Sequence, residues 1–395
     1  MRRRSLAFLL IIALVVSCFC MAGCNTVENE FPELDFESYE ESMEPSESSE
    51  DAALTGDLHE ITVALPLSDH TVNLLMNLYY AKANGLFADD MTGSDISIEY
   101  LEAINTPWIV NTITTANTGA TCENLESLQS EGSMPDVFLA NDIDEVASDE
   151  LALPLDPYLS EYTEVNSSSV YLGAVEALRD GNEHYGIPFY TTVYMLAGNR
   201  DFLPESGVPA FTMSVTELLD HIRDIDGYSS EEGTSITRFY DAQTMSGLVS
   251  EDFIEDLEDE QLSSSTDAFG ADPRLSRTCG MWLINSSEFD TWNTYYPDGL
   301  YFVMLPTERV NAVVYPVCVS ASSDDADFAT GFATFICFDK DAQMLIRRLE
   351  ALRGFFPSIS NQGVWVQMSD DEYFGSQSML YEQFMNTADY VAAQE

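Results

Sequence analysis

Basic side chains are scarce. The 395 residues hold 15 Lys and Arg against 68 Asp and Glu, a net charge of −53. A nucleic-acid partner is excluded, because a phosphate backbone is bound by Lys and Arg that displace its counterions. Anionic ligands held by basic clusters are disfavoured for the same reason. Histidine is nearly absent: His59, His70, His184 and His221 stand apart, without metal-ligand spacing. The calcium loop Asp-x-Asp-x-Asp-Gly is missing. Asn141-Asp142-Ile143-Asp144 comes nearest and lacks both the turn glycine and the distal Glu. There is no Gly-x-Ser-x-Gly, no His-Glu-x-x-His and no Walker loop. Nothing singles out two of the 68 acids as the carboxylate pair of a glycosidase. Neither an enzyme, nor a metal, nor a cofactor is expected.

Long apolar runs are also lacking. The one near the start, Leu6 to Met21, is too short for a membrane span of ~20 residues. It follows Arg2-Arg3-Arg4 and leads to Met21-Ala22-Gly23-Cys24, the layout of a secretory signal peptide. The last four residues resemble the bacterial lipobox, with Met21 in place of the usual Leu. That resemblance implies cleavage before Cys24, lipid on Cys24, and a mature protein anchored at the extracellular face of the cell membrane. Residues 1–23 are then signal peptide, and 372 residues with a charge of −56 remain (395 − 23; −53 less three Arg). Four cysteines follow, Cys122, Cys279, Cys318 and Cys337, with no Cys-x-x-Cys. An exported chain permits disulfides. Cys318 with Cys337 is the nearest pair, and buried free thiols are the equal alternative.

Residues 24–57 read as an acidic disordered tether. From Asn25 to Asp57 there are 12 acids and no Lys or Arg, so like charges extend a stretch that cannot bury a core. As a coil it reaches roughly 30 Å. The remaining body still carries −44 (−56 + 12), a solvated acidic surface that keeps an exported protein soluble.

In the body, strands are expected at Ile61–Leu67, Ile96–Leu101 and Pro135–Ala140. More follow at Gly186–Phe189 running into Val193–Ala197, then at Gly280–Ile284, Tyr301–Leu305 and Val313–Val319. Helical patterns fall between them: one carrying Leu74, Leu75, Leu78 and Tyr79 that stops near Gly85, one from Ser214 to Ile225, and one from Asp325 to Phe338 that closes the series. Strands alternating with helices indicate α/β units around a parallel sheet. There is no internal repeat.

The order of motifs resembles the family 1 extracellular solute-binding proteins, the sugar-type receptors of ABC importers, over roughly residues 60 to 360. Pro135-Asp136-Val137 matches the family's Pro-Asp-Val strand. Leu153-Pro154-Leu155-Asp156-Pro157-Tyr158 matches its crossing, and Tyr185-Gly186-Ile187-Pro188 with Asn199-Arg200-Asp201 its hairpin. Val215-Thr216-Glu217-Leu218-Leu219, Gly280-Met281-Trp282, Phe302-Val303-Met304-Leu305-Pro306 and Asp325 to Phe338 follow in order. Three features depart from the pattern. The Trp expected near Thr212 is absent, Asn285-Ser286 stands where glycine is usual, and the chain beyond Pro357 is short.

The resemblance implies an α/β, two-lobe periplasmic-binding-protein-like fold (type II), with a hinge between the lobes. The expected borders are 58–155 plus 295–338 for one lobe and 156–294 plus 339–395 for the other. It also implies a small-molecule ligand, a sugar or oligosaccharide, passed to the membrane subunits of an ABC permease by a monomer. The kept alternative is a transport-silent surface protein of the same fold, acting as sensor or adhesin. In α/β sheets ligands bind beyond the carboxyl ends of strands. Hydrogen-bonding candidates are therefore Asp69, Asn141, Asp142 and Thr192. Asp142 doubles as a candidate helix N-cap. Aromatic faces for the C–H side of a sugar ring are Trp108, Tyr190, Tyr194, Trp282 and Trp292. Tyr190 and Tyr194 share a face if their strand is regular.

Overall fold

Strand β1 (Glu60–Leu65) begins the body with an alternation that buries Ile61 and Val63 and then Ala64 and Leu65 on both faces. The computed structural model describes residues 58–395, apart from 88–95, 118, 160–169, 204–206, 211, 232–238, 241–250, 260–262, 265–273, 276, 278, 298, 306–310, 351, 353, 361–363, 366–384, 386–387 and 394–395. Cys24, the signal peptide and the tether lie outside the described residues. From Leu54 onward the chain forms one compact unit. No described helix is long and apolar enough to cross a membrane.

Ser68 then caps the helix Asp69–Ala83, accepting from the Thr71 N–H, a pairing that satisfies one of the orphan donors at a helix start. Lys82, in the last turn, reaches Asp339 and Asp341 at 2.7 Å each. This ties the helix to Lys340–Leu349, a helix the sequence reading did not expect after Phe338. Strand β2 (Ile109–Thr114) pairs parallel with β1, and β3 (Val137–Leu139) pairs with β1 on its other side. A strand was expected at Ile96–Leu101; the residues Ile98–Glu102 are a helix instead. Ser97 takes the cap, accepting from the Tyr100 N–H, and Leu101 is buried.

The long strand β6 (Ile187–Asn199) organises the rest. It follows the short hairpin of β4 (Arg179–Asp180) and β5 (Glu183–His184). Its first part, through Val193, pairs antiparallel with β11 (Asn311–Val319) and, at Tyr190 and Thr191, with β12 (Phe356–Pro357). Its second part, Tyr194 to Asn199, pairs with β9 (Met281–Asn285) and β10 (Leu300–Met304). Strands β7 (Phe239–Tyr240) and β8 (Ser263–Ser264) extend the β9 side, and β13 (Asp389–Ala392) runs beside β11. The sheet order is β2-β1-β3-β11-β6-β9-β7-β8. It is a mixed sheet, parallel at β2-β1-β3 and antiparallel around β6.

This pairing cuts the chain elsewhere than the expected borders. Leu300–Met304 was expected with the first lobe, yet it pairs with the second part of β6. Lys340–Leu349 and Asp389–Ala392 were expected with the second, yet they join the β1 and β11 side. Both shifts follow from one fact: β6 is unbroken, so the partners of its two halves define the two groups.

Among the described residues Cys122, Cys279, Cys318 and Cys337 are buried and form no disulfide, so Cys318 is not bonded to Cys337. Burial pushes the thiols of Cys318 and Cys337 up. Around the second part of β6, His221 is 6% exposed and its Nε2 lies 2.8 Å from the Tyr301 hydroxyl. Burial holds this imidazole below its ordinary value, with Asp224 opposing. Such a group stabilises the fold fully above its unfolded pKa of ~6.5, and the contribution is lost as pH falls through the folded value. The melting temperature is therefore expected to drop between about pH 7 and pH 5, and His221→Gln should flatten that part of the curve. Equal slopes for both proteins in a calorimetric pH series would reject the assignment.

Candidate functional site

Every residue of β6 is buried except Tyr194, which is half-buried. Alternation places Tyr190, Thr192 and Tyr194 on one face, and neighbouring strands add to it in register. Tyr315 of β11 lies opposite Tyr190, and Asn285 of β9 lies opposite Tyr194. The Asn285 Nδ2 donates to the Thr192 Oγ1 at 3.1 Å. Meanwhile the Asn285 Oδ1 accepts from the Ser287 N–H at 2.9 Å and from its hydroxyl at 2.7 Å. Burial pushes the Tyr315 phenol up; a hydrogen bond with Thr192 works against this and nearby Tyr194 adds to it. All three groups are therefore within electrostatic reach of one another.

Tyr190 forms the floor. Its ring packs against Tyr315 at 5.4 Å and edge-on to Phe355 at 4.6 Å, and its hydroxyl donates to the Asn117 carbonyl. Burial holds its phenol far above the ordinary value. Behind it, the Arg347 Nη1 donates to the carbonyls of Leu352 and Phe355. Burial lowers this guanidinium to about 10, so it stays charged at neutral pH and is spent on backbone acceptors.

Asn141 follows β3 at the sheet's next step. The Ala140 N–H donates to Pro316 O at 3.0 Å and the Asn141 N–H to Ala120 O at 3.2 Å. Both bonds fix the loop beside Tyr315. The Asn141 Oδ1 is buried and has no partner, an expensive state for an amide oxygen unless something fills it. Next to it, the Asp142 Oδ1 accepts from the N–H groups of Asp144 and Glu145 at 3.0 and 3.1 Å. Asp142 is thus the N-cap of Ile143–Ser148. Asp69, beyond the carboxyl end of β1, is exposed and accepts from the Thr112 hydroxyl.

The three tryptophans go elsewhere. Trp108 precedes β2 and so sits at the amino end of the parallel strands, opposite to Asp69 and Asn141. It packs with His59, Tyr79, Tyr80 and Phe328 at centroid distances of 4.9–5.6 Å. Trp282 lies opposite Ala197, on the face of β6 away from Tyr194. It is fully buried and packs on Trp292 at 5.5 Å and Tyr296 at 5.3 Å. The structure therefore gathers Tyr190, Thr192 and Tyr194 and places Asn141 two strands on, across β11. It brings in Tyr315 and Asn285, which the sequence reading did not name as contacts. Tyr315 was hidden in the apolar strand run Val313–Val319; Asn285 showed only as a departure from glycine.

Metal-binding chemistry is weak here. The ligand atoms of Cys122, Glu126 and Asp149 lie within 4.8 Å of one another. However, burial and then the bond to Asp149 push the Cys122 thiol up to about 12, which keeps it protonated.

A family model described as bacterial extracellular solute-binding protein matches residues 109–343. No curated protein matches the chain. Among solved structures, a family 1 extracellular solute-binding protein from Alicyclobacillus acidocaldarius is 14% identical, with TM-score 0.56 over 86% of this chain and 89% of that one. An ABC substrate-binding protein from Listeria monocytogenes, solved in complex with cycloalternan, is 13% identical, with TM-score 0.55 over 86% and 89%. The sugar-binding protein MalE from Xanthomonas citri is 11% identical, with TM-score 0.59 over 84% and 86%.

Proposed function

Since this chain belongs to the bacterial extracellular solute-binding protein family, with the two-lobe α/β fold of its structural neighbours, we propose that it captures a carbohydrate on the Tyr194 face of β6. The proposal includes anchoring through lipid on Cys24 and delivery of the ligand to an ABC permease. The lobes are the group of β1, β2, β3, β11, β12 and β13 and the group of β7, β8, β9 and β10, joined where β6 passes from Val193 to Tyr194.

The observation that carries the reading is the composition of that face. Tyr194, half-buried, offers aromatic surface backed by the buried rings of Tyr190 and Tyr315, while Asn285, the buried Thr192 and the Asn141 Oδ1, which has no partner among the described residues, supply neutral hydrogen-bonding groups. A sugar needs both kinds: flat surface under its C–H face and amides or hydroxyls for its own hydroxyls. Arg347, behind Tyr190, has its Nη1 on two carbonyls, which disfavours its pairing with an anionic ligand. One structural neighbour carries cycloalternan and another is a sugar-binding protein, which supports the ligand class. Trp108, Trp282 and Trp292 serve as packing in this reading, and Asp142 as a helix cap.

The test is a thermal-shift screen of residues 58–395 against mono- and oligosaccharides, with amino acids and polyamines as controls. A ligand at ~100 times its dissociation constant adds about 2.7 kcal/mol of stability. A carbohydrate shift that disappears in Asn141→Ala is expected. Shifts confined to polyamines would replace the sugar with a cation and move attention to Asp69 and Asp142.

A further inference from the structure

The departure at Asn285-Ser286 lies at the point where β6 changes partners. The Ser286 side chain is fully buried. Its hydroxyl oxygen accepts from the Val193 N–H at 3.0 Å and donates to Gly354 O at 2.5 Å. Val193 is the last residue of β6 paired with β11, and Tyr194 the first paired with β9. Gly354 leads into β12, which pairs with Thr191 and Tyr190. One hydroxyl thus joins three segments: the crossing strand, the end of β9 and the turn before β12. Immediately beside it, the Asn285 amide holds the Thr192 hydroxyl and caps its own turn through Ser287 and Glu288.

We infer that Asn285 and Ser286 are positioning residues that set the pivot between the two strand groups and fix the orientation of the ligand-facing Thr192. The inference rests on the proposed function only in taking the two groups as lobes that move. The bonds at Val193 and Thr192 span both groups. Rotation about the crossing strand must either turn around these bonds or break them. Two side-chain bonds placed on consecutive backbone positions restrict the turning to one axis. Glycine at these positions would supply neither bond.

The test needs no ligand. Spin labels on Ser127→Cys, exposed on the helix Cys122–Ser130, and Thr216→Cys, exposed on Val215–Glu231, report the distance between the groups. In residues 58–395 the native thiols Cys122, Cys279, Cys318 and Cys337 are buried, so the labels on that body go to the introduced sites. Pulsed dipolar spectroscopy should give one narrow distribution for the otherwise unaltered protein. Ser286→Ala should broaden it or add a second population. Asn285→Ser is the discriminating variant. Its hydroxyl still accepts from the Ser287 N–H as a helix cap but is too short to reach Thr192, so the turn survives and the distribution still widens. Circular dichroism shows that each variant is folded, and Ser286→Thr, which retains the hydroxyl, should restore the narrow form. If Ser286→Ala and Asn285→Ser both fold and both keep the original distribution, the residues are ordinary turn caps and the inference falls. A failed sugar screen would not alter this readout, and an unchanged distribution would leave the sugar screen untouched.

Discussion

Gly354→Ala is expected to remove most of the folded protein. Gly354 has φ +77°, and a Cβ there would sit 1.8 Å from the Ser286 carbonyl oxygen, 2.6 Å from its carbon and 2.8 Å from the Phe289 ring. The nearest contact is backbone, so no rotamer change relieves it. The left-handed conformation alone costs an L-residue roughly 1–2 kcal/mol. Displacing Ser286 also breaks its bonds to Val193 N and Gly354 O, leaving a buried N–H that costs about 1–3 kcal/mol. Together these reach roughly 2–5 kcal/mol before the backbone clash itself is counted, which carries the loss into the range of the most damaging single substitutions. Gly85 supplies the control. It has φ +62° and nothing within 4 Å of a built Cβ, so Gly85→Ala carries only the conformational strain. Calorimetry of both variants decides the matter: equal losses at the two positions would mean that the Gly354–Ser286 contact relaxes freely and contributes little.

The contrast between those glycines shows what a sequence conveys. Gly85 was legible as a stop, because it ends an apolar helical pattern. The role of Gly354 was not, because its constraint comes from Ser286, 68 residues away. The same distinction runs through the fold. Ile61–Leu67, Pro135–Ala140, Val313–Val319 and the helix Asp325–Phe338 were read close to their observed ranges, since each is buried on nearly every side. β2 was missed because Ile109, Asn111 and Thr114 are exposed; an edge strand shows no run of apolar residues. Ile96–Leu101 carried strand-like alternation, but Ser97 in an extended conformation caps a helical turn, and a local hydrogen bond outweighed the pattern. The expected lobe borders and the two strand groups divide the chain differently for a longer-range reason. Which half of β6 a later strand joins is a matter of tertiary pairing, and no residue of Leu300–Met304 or Asp389–Ala392 signals it locally.

In the candidate site, the alternation of Tyr190, Thr192 and Tyr194 was readable because strand geometry is local. Tyr315 and Asn285 were not, since they arrive through cross-strand register from residues 125 and 91 positions beyond Tyr190 and Tyr194 (315 − 190; 285 − 194). The tryptophans were drawn into the expected site by their chemistry alone. Trp282 sits within a short apolar strand, and the face it takes depends on its register with Ala197.

That register gives the second large effect. Trp282→Ala is expected to cost about 3–5 kcal/mol of stability, the range for removing a buried aromatic side chain. Trp282 is fully buried and supports Trp292 and Tyr296. A cavity of that size in a well-packed cluster collapses only in part, so the loss persists. Ligand affinity of the fraction that folds should stay within a few-fold of the original protein, because the indole faces away from Tyr194. Tyr194→Ala should do the opposite. Its side chain is half-buried at a position opposite Asn285 and packs only partly against the Leu196 cluster, so truncation costs less packing than at Trp282 and removes aromatic surface from the face proposed for the sugar. Calorimetric melting and titration with the carbohydrate found in the screen, applied to both variants, separate the two roles. If Trp282→Ala abolished binding while leaving the melting temperature unchanged, the ligand would lie on the other face of β6. The pivot formed by Ser286 and Asn285 would then hold a strand whose exposed tyrosine has no part in capture. If the two variants divide as expected, the same strand carries stability on one face and recognition on the other, and the point at which it crosses between the groups is where the two are coupled.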